Sequence, residues 1–207
     1  MTKQSQQELD EIERITVGHY DTHAEAFWQG TRDHDVSQNI EAFLGALPSD
    51  GALDILDLGC GPGRDLLTFR ELGHRVTGLD GSQAFCDMAA RYSGCPVWHQ
   101  QFLQLNLGTA RFDGIFANAS LFHVPSQQLP SVLAACHRAL RETGVLFMSN
   151  PRGSAEGWQG DRYGTYLELE QMSELLNQAG FTLLDHYYRP AGQPRHQQPW
   201  LAIISRR

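Results

Sequence analysis

No two cysteines in this chain stand at a spacing that would hold a metal ion. The four, Cys60, Cys86, Cys95 and Cys136, form no Cys-x-x-Cys pair and have no histidine at zinc-ligand spacing. No metal is therefore expected, and a reducing compartment is. Long apolar runs are missing too: no stretch approaches the roughly 20 residues that a membrane helix needs. The first residues, MTKQSQQELDEIERI, have no apolar core of the signal-peptide kind. Positive charge is scarce, with 16 Lys and Arg against 24 Asp and Glu, a net of −8, and no basic run before Arg206-Arg207. That average field repels a phosphate backbone. A cytoplasmic protein is expected, with neither nucleic acid nor membrane as partner.

What is present suits one α/β domain. The 207 residues, 41% hydrophobic and 19% charged, can bury a sizeable core and are too few for two comfortable domains. Residues 1–47 read as helical, with Val36, Ile40, Phe43, Leu44 and Leu47 on one stripe. Pro48, Ser49, Asp50 and Gly51 mark a turn into a different rhythm. From 53 to 150 short apolar runs alternate with helical segments. The strand candidates are Leu53 to Leu58, Val76 to Leu79, Phe112 to Ala117 and Val145 to Ser149, with Pro96 to Trp98 weaker. The helices are Arg64 to Leu72, Gln83 to Tyr92 and Gln127 to Arg141, and Gly73 and Gly144 sit where helix ends favour positive φ. Such alternation predicts βαβ units and a doubly wound, mostly parallel sheet. In 151–207 a helix over Glu168 to Ala179 leads to strands at Phe181 to Tyr188 and Trp200 to Ser205. Too little chain separates those two for a helical crossover, so they should pair antiparallel.

The strongest motif is Asp57-Leu58-Gly59-Cys60-Gly61-Pro62-Gly63, where an apolar strand meets a glycine-rich turn that opens a helix. Glycines there let backbone approach a flat ligand. The next strand ends in Asp80, about twenty residues on, where a carboxylate can accept both hydroxyls of a ribose. The turn reads Asp-x-Gly-x-Gly-x-Gly, not the Gly-x-Gly-x-x-Gly of nicotinamide enzymes, and it resembles motif I of the class I S-adenosylmethionine-dependent methyltransferases. Phe112 to Phe116, Leu121 to Pro125, Gly144 to Phe147 and Leu175 to Phe181 resemble that family's later elements, in order. The resemblance implies a seven-stranded sheet in the order 3-2-1-4-5-7-6, strand seven antiparallel, beneath an N-terminal helical lid. It implies S-adenosylmethionine as methyl donor, S-adenosylhomocysteine as product, and in-line transfer to an N, O or S atom of a small polar acceptor. A monomer or homodimer is expected.

Carried over residue by residue, the resemblance places the turn residues Asp57, Gly59, Cys60 and Gly61 against the donor. Asp80 holds the ribose, Gly81 and Ser82 lie beside it, and Gln101 and Phe102 flank adenine. Many members have an acidic residue where Gln101 stands, and an amide oxygen can accept the same hydrogen bond. Asn118 and Ala119 sit near the sulfonium. Tyr20-Asp21-x-x-Ala24-x-x-Phe27-Trp28 looks like the lid helix, with Tyr20 and Trp28 on the donor.

Other residues admit two readings. The loop Gly30 to Asp35 either caps the next helix through Asp33 or Asp35, or turns Arg32 to the donor and His34 to the acceptor. His123 is a candidate general base or a packing residue at the cofactor's edge. Asn150 and Arg152, past the fifth strand, are acceptor candidates, as are Arg162 and Tyr163 in Trp158 to Tyr166, which is either a pocket cover or a surface loop. Tyr187, Tyr188, Arg189 and His196 are placed to close the far side; alternation allows only one of the two tyrosines to point inward, and Tyr187 is the acceptor candidate. A nicotinamide oxidoreductase, a non-catalytic donor-binding module and a partner-dependent enzyme acting on a protein are the competing functions.

Overall fold

A computed structural model describes residues 3–48 and 51–207; Ser49 and Asp50 of the expected turn lie outside the described residues. Three helices come first: α1 (Gln6–Thr22), α2 (Ala24–Thr31) and α3 (Ser37–Gly45). A capping box starts α1, because Ser5 Oγ accepts from the Glu8 amide and Glu8 Oε2 accepts from the Ser5 amide. Then follow β1 (Asp54–Leu58), α4 (Arg64–Glu71), β2 (Arg75–Asp80), α5 (Gln83–Ser93), β3 (Val97–His99), β4 (Phe112–Asn118), α6 (Leu129–Ala139) and β5 (Leu140–Pro151). The last part contains β6 (Glu156–Gln159), β7 (Arg162–Thr165), α7 (Leu169–Gln178), β8 (Thr182–Arg189) and β9 (Trp200–Arg206).

Seven strands form one sheet in the order β3-β2-β1-β4-β5-β9-β8. The strands from β3 to β5 pair in parallel, and β9 is antiparallel to both neighbours. With β6 and β7 set aside, this is the expected order 3-2-1-4-5-7-6.

Each face of the sheet carries its own core. Leu56, Leu58, Ile115, Ala117, Leu146 and Met148 pack beneath α6 and α7. Ile55, Phe116, Phe147 and Ile204 pack on the other face with Phe43 of α3 and Phe69 of α4. Phe116 and Phe147 stack at 4.8 Å between centroids. Gly114 makes room for α3: a Cβ there would lie 2.4 Å from Phe43 Cζ. The predicted stripe holds, with Ile40, Phe43 and Leu47 buried.

Three expectations need correction. The helix expected to reach Arg141 ends at Ala139. Phe112 pairs with Leu140 while Gly114 pairs with Val145, so Arg141 to Gly144 bulge out. There the Arg141 guanidinium reaches both Asp54 and Asp113 at 2.8 Å. The left-handed residue in that bulge is Thr143 (φ 67°), not Gly144. Finally, Trp158 to Tyr166 is mostly a hairpin, β6 paired with β7, turning on Gly160 (φ 61°) and Asp161. A Gly-Asp pair between short strands is a known two-residue turn signal, so this hairpin was legible.

Candidate active site

The carboxyl ends of β1, β2, β4 and β5 open into a cavity of about 720 Å³, walled opposite by α1 and α2. Its floor is the turn after β1. Gly59, Gly61 and Gly63 all have positive φ (78°, 52° and 96°), conformations that favour glycine. A Cβ on Gly59 would lie 2.3 Å from Ser120 Cβ, and one on Gly63 2.8 Å from Ala89 Cα. The first absence lets Ser120 and Phe102 pack against the turn and the second lets α4 approach α5.

Asp80 stands beside this turn at the tip of β2. Its Oδ2 accepts from the Gly61 amide and its Oδ1 from the Ser82 amide, both at 2.9 Å. Burial raises the carboxyl to about 6, against the pull of those backbone bonds. Gln101 lies close by, and its Oε1 is buried without a partner among the described residues.

His123 has both ring nitrogens engaged. Nδ1 is 2.6 Å from the Tyr163 carbonyl oxygen, which only accepts, so Nδ1 carries the proton. Nε2 therefore accepts from the Tyr20 hydroxyl at 2.7 Å. Burial lowers the His123 pKa to about 4; the bond to Tyr163 opposes that shift, and Arg162 and His19 add to it. The ring is neutral at pH 7 and aims Tyr20 into the cavity.

The cavity brings together Tyr20, Trp28, Gly59, Cys60, Gly61, Asp80, Gly81, Gln101, Phe102, Asn118 and Ala119 from the expected donor set. His123 joins them, with His34 and Arg162 from the acceptor set. In the loop before α3, Asp35 Oδ1 accepts from the Ser37 amide at 2.9 Å without capping the helix, whose N-cap is Val36, and His34, but not Arg32, lines the cavity.

The remaining candidates do not reach the cavity. Asp57 is buried in β1 behind the turn, where burial, reinforced by Asp65 and Asp80, pushes its carboxyl well above the usual range. Ser82 caps α5, accepting from the Phe85 amide and donating to Asp21 at 2.6 Å. Arg32 is exposed and pairs with Asp33. Asn150 points to the opposite face of the sheet, against Met148, Leu201 and Ile203, because alternation gives the cavity side to Ser149. Arg152 is consumed structurally, donating to Glu168, to the Gln198 carbonyl and to the Arg195 carbonyl, each at 2.8 Å. The Tyr163 side chain turns away to Glu156 and Gln4. Tyr187 donates to Asn39 at 2.9 Å, at the end of a chain that runs through Asn118 to Asp65 and Arg64. Tyr188 takes the other face, and His196 stays outside.

Arg64, Ser149 and Trp200, not expected from the sequence, also line the cavity, and Arg189 stands at the far side, where the sequence placed it. Arg64 donates to the Thr31 carbonyl at 2.9 Å, fastening α4 to α2. Shifting the strand's parity by one residue from Asn150 would have found Ser149. Among the described residues, no helix is long and apolar enough to cross a membrane.

Comparison with known proteins adds a family. The sequence model described as a methyltransferase domain matches residues 55–144. Trans-aconitate 2-methyltransferase of an Azoarcus species is 37% identical over 117 residues, 55% of this chain and 45% of that one. Ubiquinone biosynthesis O-methyltransferase of Pasteurella multocida is 28% identical over 174 residues, 74% of this chain and 67% of that one. The chain thus spans about half to two thirds of the length of these relatives. In structure, it resembles the 1,6-didemethyltoxoflavin-N1-methyltransferase of Burkholderia thailandensis, solved with 1,6-didemethyltoxoflavin and S-adenosylhomocysteine. The TM-score is 0.77 at 24% identity, covering 100% of this chain and 92% of the other, which is a likeness of fold. With its glycine turn, the carboxylate closing β2 and this strand order, the chain matches the class I S-adenosylmethionine-dependent methyltransferases in sequence motif and in fold.

Proposed function

We propose that this chain transfers the methyl group of S-adenosylmethionine to an N, O or S atom of a small polar metabolite. The observation that carries the reading is the turn of Gly59 and Gly61, bare of side chains, beside the half-buried Asp80 carboxylate. The residues present fit that donor. A Cβ at Gly61 would face Phe27 of the cavity wall at 3.9 Å, the unpartnered Gln101 Oε1 suits an adenine amino group, and Asp80 suits the ribose hydroxyls. A volume of about 720 Å³ lies within the range of small-molecule sites and leaves space for an acceptor. Bound there, S-adenosylmethionine supplies an electrophilic methyl group on its sulfonium. The chain's own part is alignment and dryness: Tyr20, Phe27 and Trp28 cover the cavity, and holding two reactants in line lowers the barrier by several kcal/mol. The named activities of the relatives, methyl transfers to small molecules, support the same class.

The test is calorimetry with S-adenosylhomocysteine, followed by transfer of labelled methyl to a metabolite panel. Absence of heat from folded protein defeats the reading.

In this reading His123 is a positioning residue, acting through Tyr20. His123→Ala and Tyr20→Phe should lower kcat by similar factors, on the order of tenfold, with the double variant no worse than either. If His123→Ala costs turnover far more than Tyr20→Phe at equal donor affinity, His123 is the base instead.

A further inference from the structure

The far end of the cavity, away from Asp80 and Gln101, has a composition of its own. Ser149 is 1% exposed and lines the cavity, yet its Oγ has no hydrogen-bond partner among the described residues. An orphaned hydroxyl in such a place costs stability unless a ligand meets it. Arg189 lines the same space. Its one hydrogen bond there goes to the Asp35 carbonyl at 3.1 Å, and no carboxylate pairs with it among the described residues.

Register puts these groups on one face. Ser149 pairs with Ala202 and Ala202 with Tyr187, while Pro151 pairs with Trp200 and Trp200 with Arg189. Directly paired residues share a face, and so do residues two apart along a strand. Ser149 on β5, Trp200 on β9 and Arg189 on β8 therefore all look toward α3 and the loop that carries His34. Two strand spacings across and two residues along separate the Ser149 and Arg189 Cα atoms by on the order of 12 Å. An arginine side chain covers much of that span, leaving a gap of a few atoms.

We propose that Ser149, Arg189 and Trp200 form the acceptor subsite and that it takes a small organic acid. The carboxylate pairs with the Arg189 guanidinium, the flat or apolar body lies along Trp200, and a polar substituent meets Ser149. The other charges near the cavity leave this assignment open to an anion. Arg64 is neutralised by Asp65, and Glu13 accepts from the Leu103 amide at the nucleoside end. Asp35, held by the Ser37 amide, feels the Arg189 charge across space without forming an ion pair with it, and an acceptor carboxylate would supply that pair. The proposal rests on the methyl-transfer reading for which end the nucleoside occupies.

The test uses the full chain, titrated calorimetrically with benzoate, 3-hydroxybenzoate, phenylacetate and succinate, each beside its primary amide, with and without saturating S-adenosylhomocysteine. At least one acid should bind about tenfold or more tightly than its amide. Arg189→Gln should erase that preference while leaving affinity for S-adenosylhomocysteine unchanged, Arg189→Lys should keep part of it, and Ser149→Ala should weaken the acid. No preference in the natural protein, or a preference that survives Arg189→Gln, overturns the proposal. So does a loss confined to S-adenosylhomocysteine affinity, which would give Arg189 to the donor. If S-adenosylhomocysteine gives no heat at all, the donor reading fails separately, and the acid titrations without it still decide the subsite.

Discussion

Gly59→Ala is expected to lose about 2–5 kcal/mol of stability and to abolish measurable S-adenosylhomocysteine binding. Two costs add. Left-handed backbone, φ 78° at Gly59, costs an L-residue about 1–2 kcal/mol. The new methyl would also sit 2.3 Å from Ser120 Cβ and 3.1 Å from Phe102 Cζ, and overpacking of this kind costs roughly 1–3 kcal/mol. Ser120 has little freedom to withdraw, being buried with its hydroxyl donated to the Leu58 carbonyl at 2.6 Å. Any relief comes from moving the turn itself, which spoils the floor. Gly30→Ala is the control: nothing lies within 4 Å of its added Cβ, and alanine is the better helix former by about 1 kcal/mol. Urea unfolding and calorimetry check both variants. A Gly59→Ala protein that binds S-adenosylhomocysteine normally would show that the turn does not carry the donor.

Asp80→Ala should weaken S-adenosylhomocysteine by about 1–3 kcal/mol, the usual result of leaving buried polar groups unpaired. The amides of Gly61 and Ser82 lose their acceptor along with the ribose. Since the Asp80 carboxyl is raised to about 6, affinity in the natural protein should fall as pH drops through 6, and Asp80→Ala should flatten that profile. Stability carries a second signature. A carboxyl with a raised folded pKa favours folding below its unfolded value near 3.9, and that contribution, on the order of 3 kcal/mol, is lost as pH rises from about 4 to 6. His123, lowered to about 4, acts oppositely: its neutral form favours folding above pH 6.5, and that contribution is lost as pH falls toward 4. The two slopes oppose each other between pH 4 and 6, and the raised Asp57 carboxyl adds to the falling one. Asp80→Ala removes one falling contribution, so relative to the natural protein its stability should shift upward as pH rises across that window. A parallel pair of profiles would refute the raised Asp80 pKa.

Much of the architecture was already written in local pattern. Strand and helix alternation from Leu53 to Ser149, the glycine turn and the short link between the last two strands led to a mostly parallel sheet with an antiparallel final pair, because each reflects short-range chemistry: burial of a parallel strand, positive φ, too few residues for a crossover. The strand order itself came from the resemblance to the methyltransferases. The donor end was legible for the same reason, since Gly59, Gly61 and Asp80 belong to adjoining strand ends whose spacing is set by one βαβ unit. The acceptor end was not. Asn150 against Ser149 is a matter of strand parity, and it is decided only when β9 docks on β5 and settles which side faces the cavity. Arg152 and Arg162 look alike in sequence, but Glu168 and two carbonyls capture the first, while the second lies beside Tyr20. Tyr187 is held by Asn39, 148 residues away along the chain. Short-range propensity thus determined the frame and the nucleoside cradle. Which polar side chains remained free to meet an acceptor was decided by long-range hydrogen bonds, which exist only once the chain has folded.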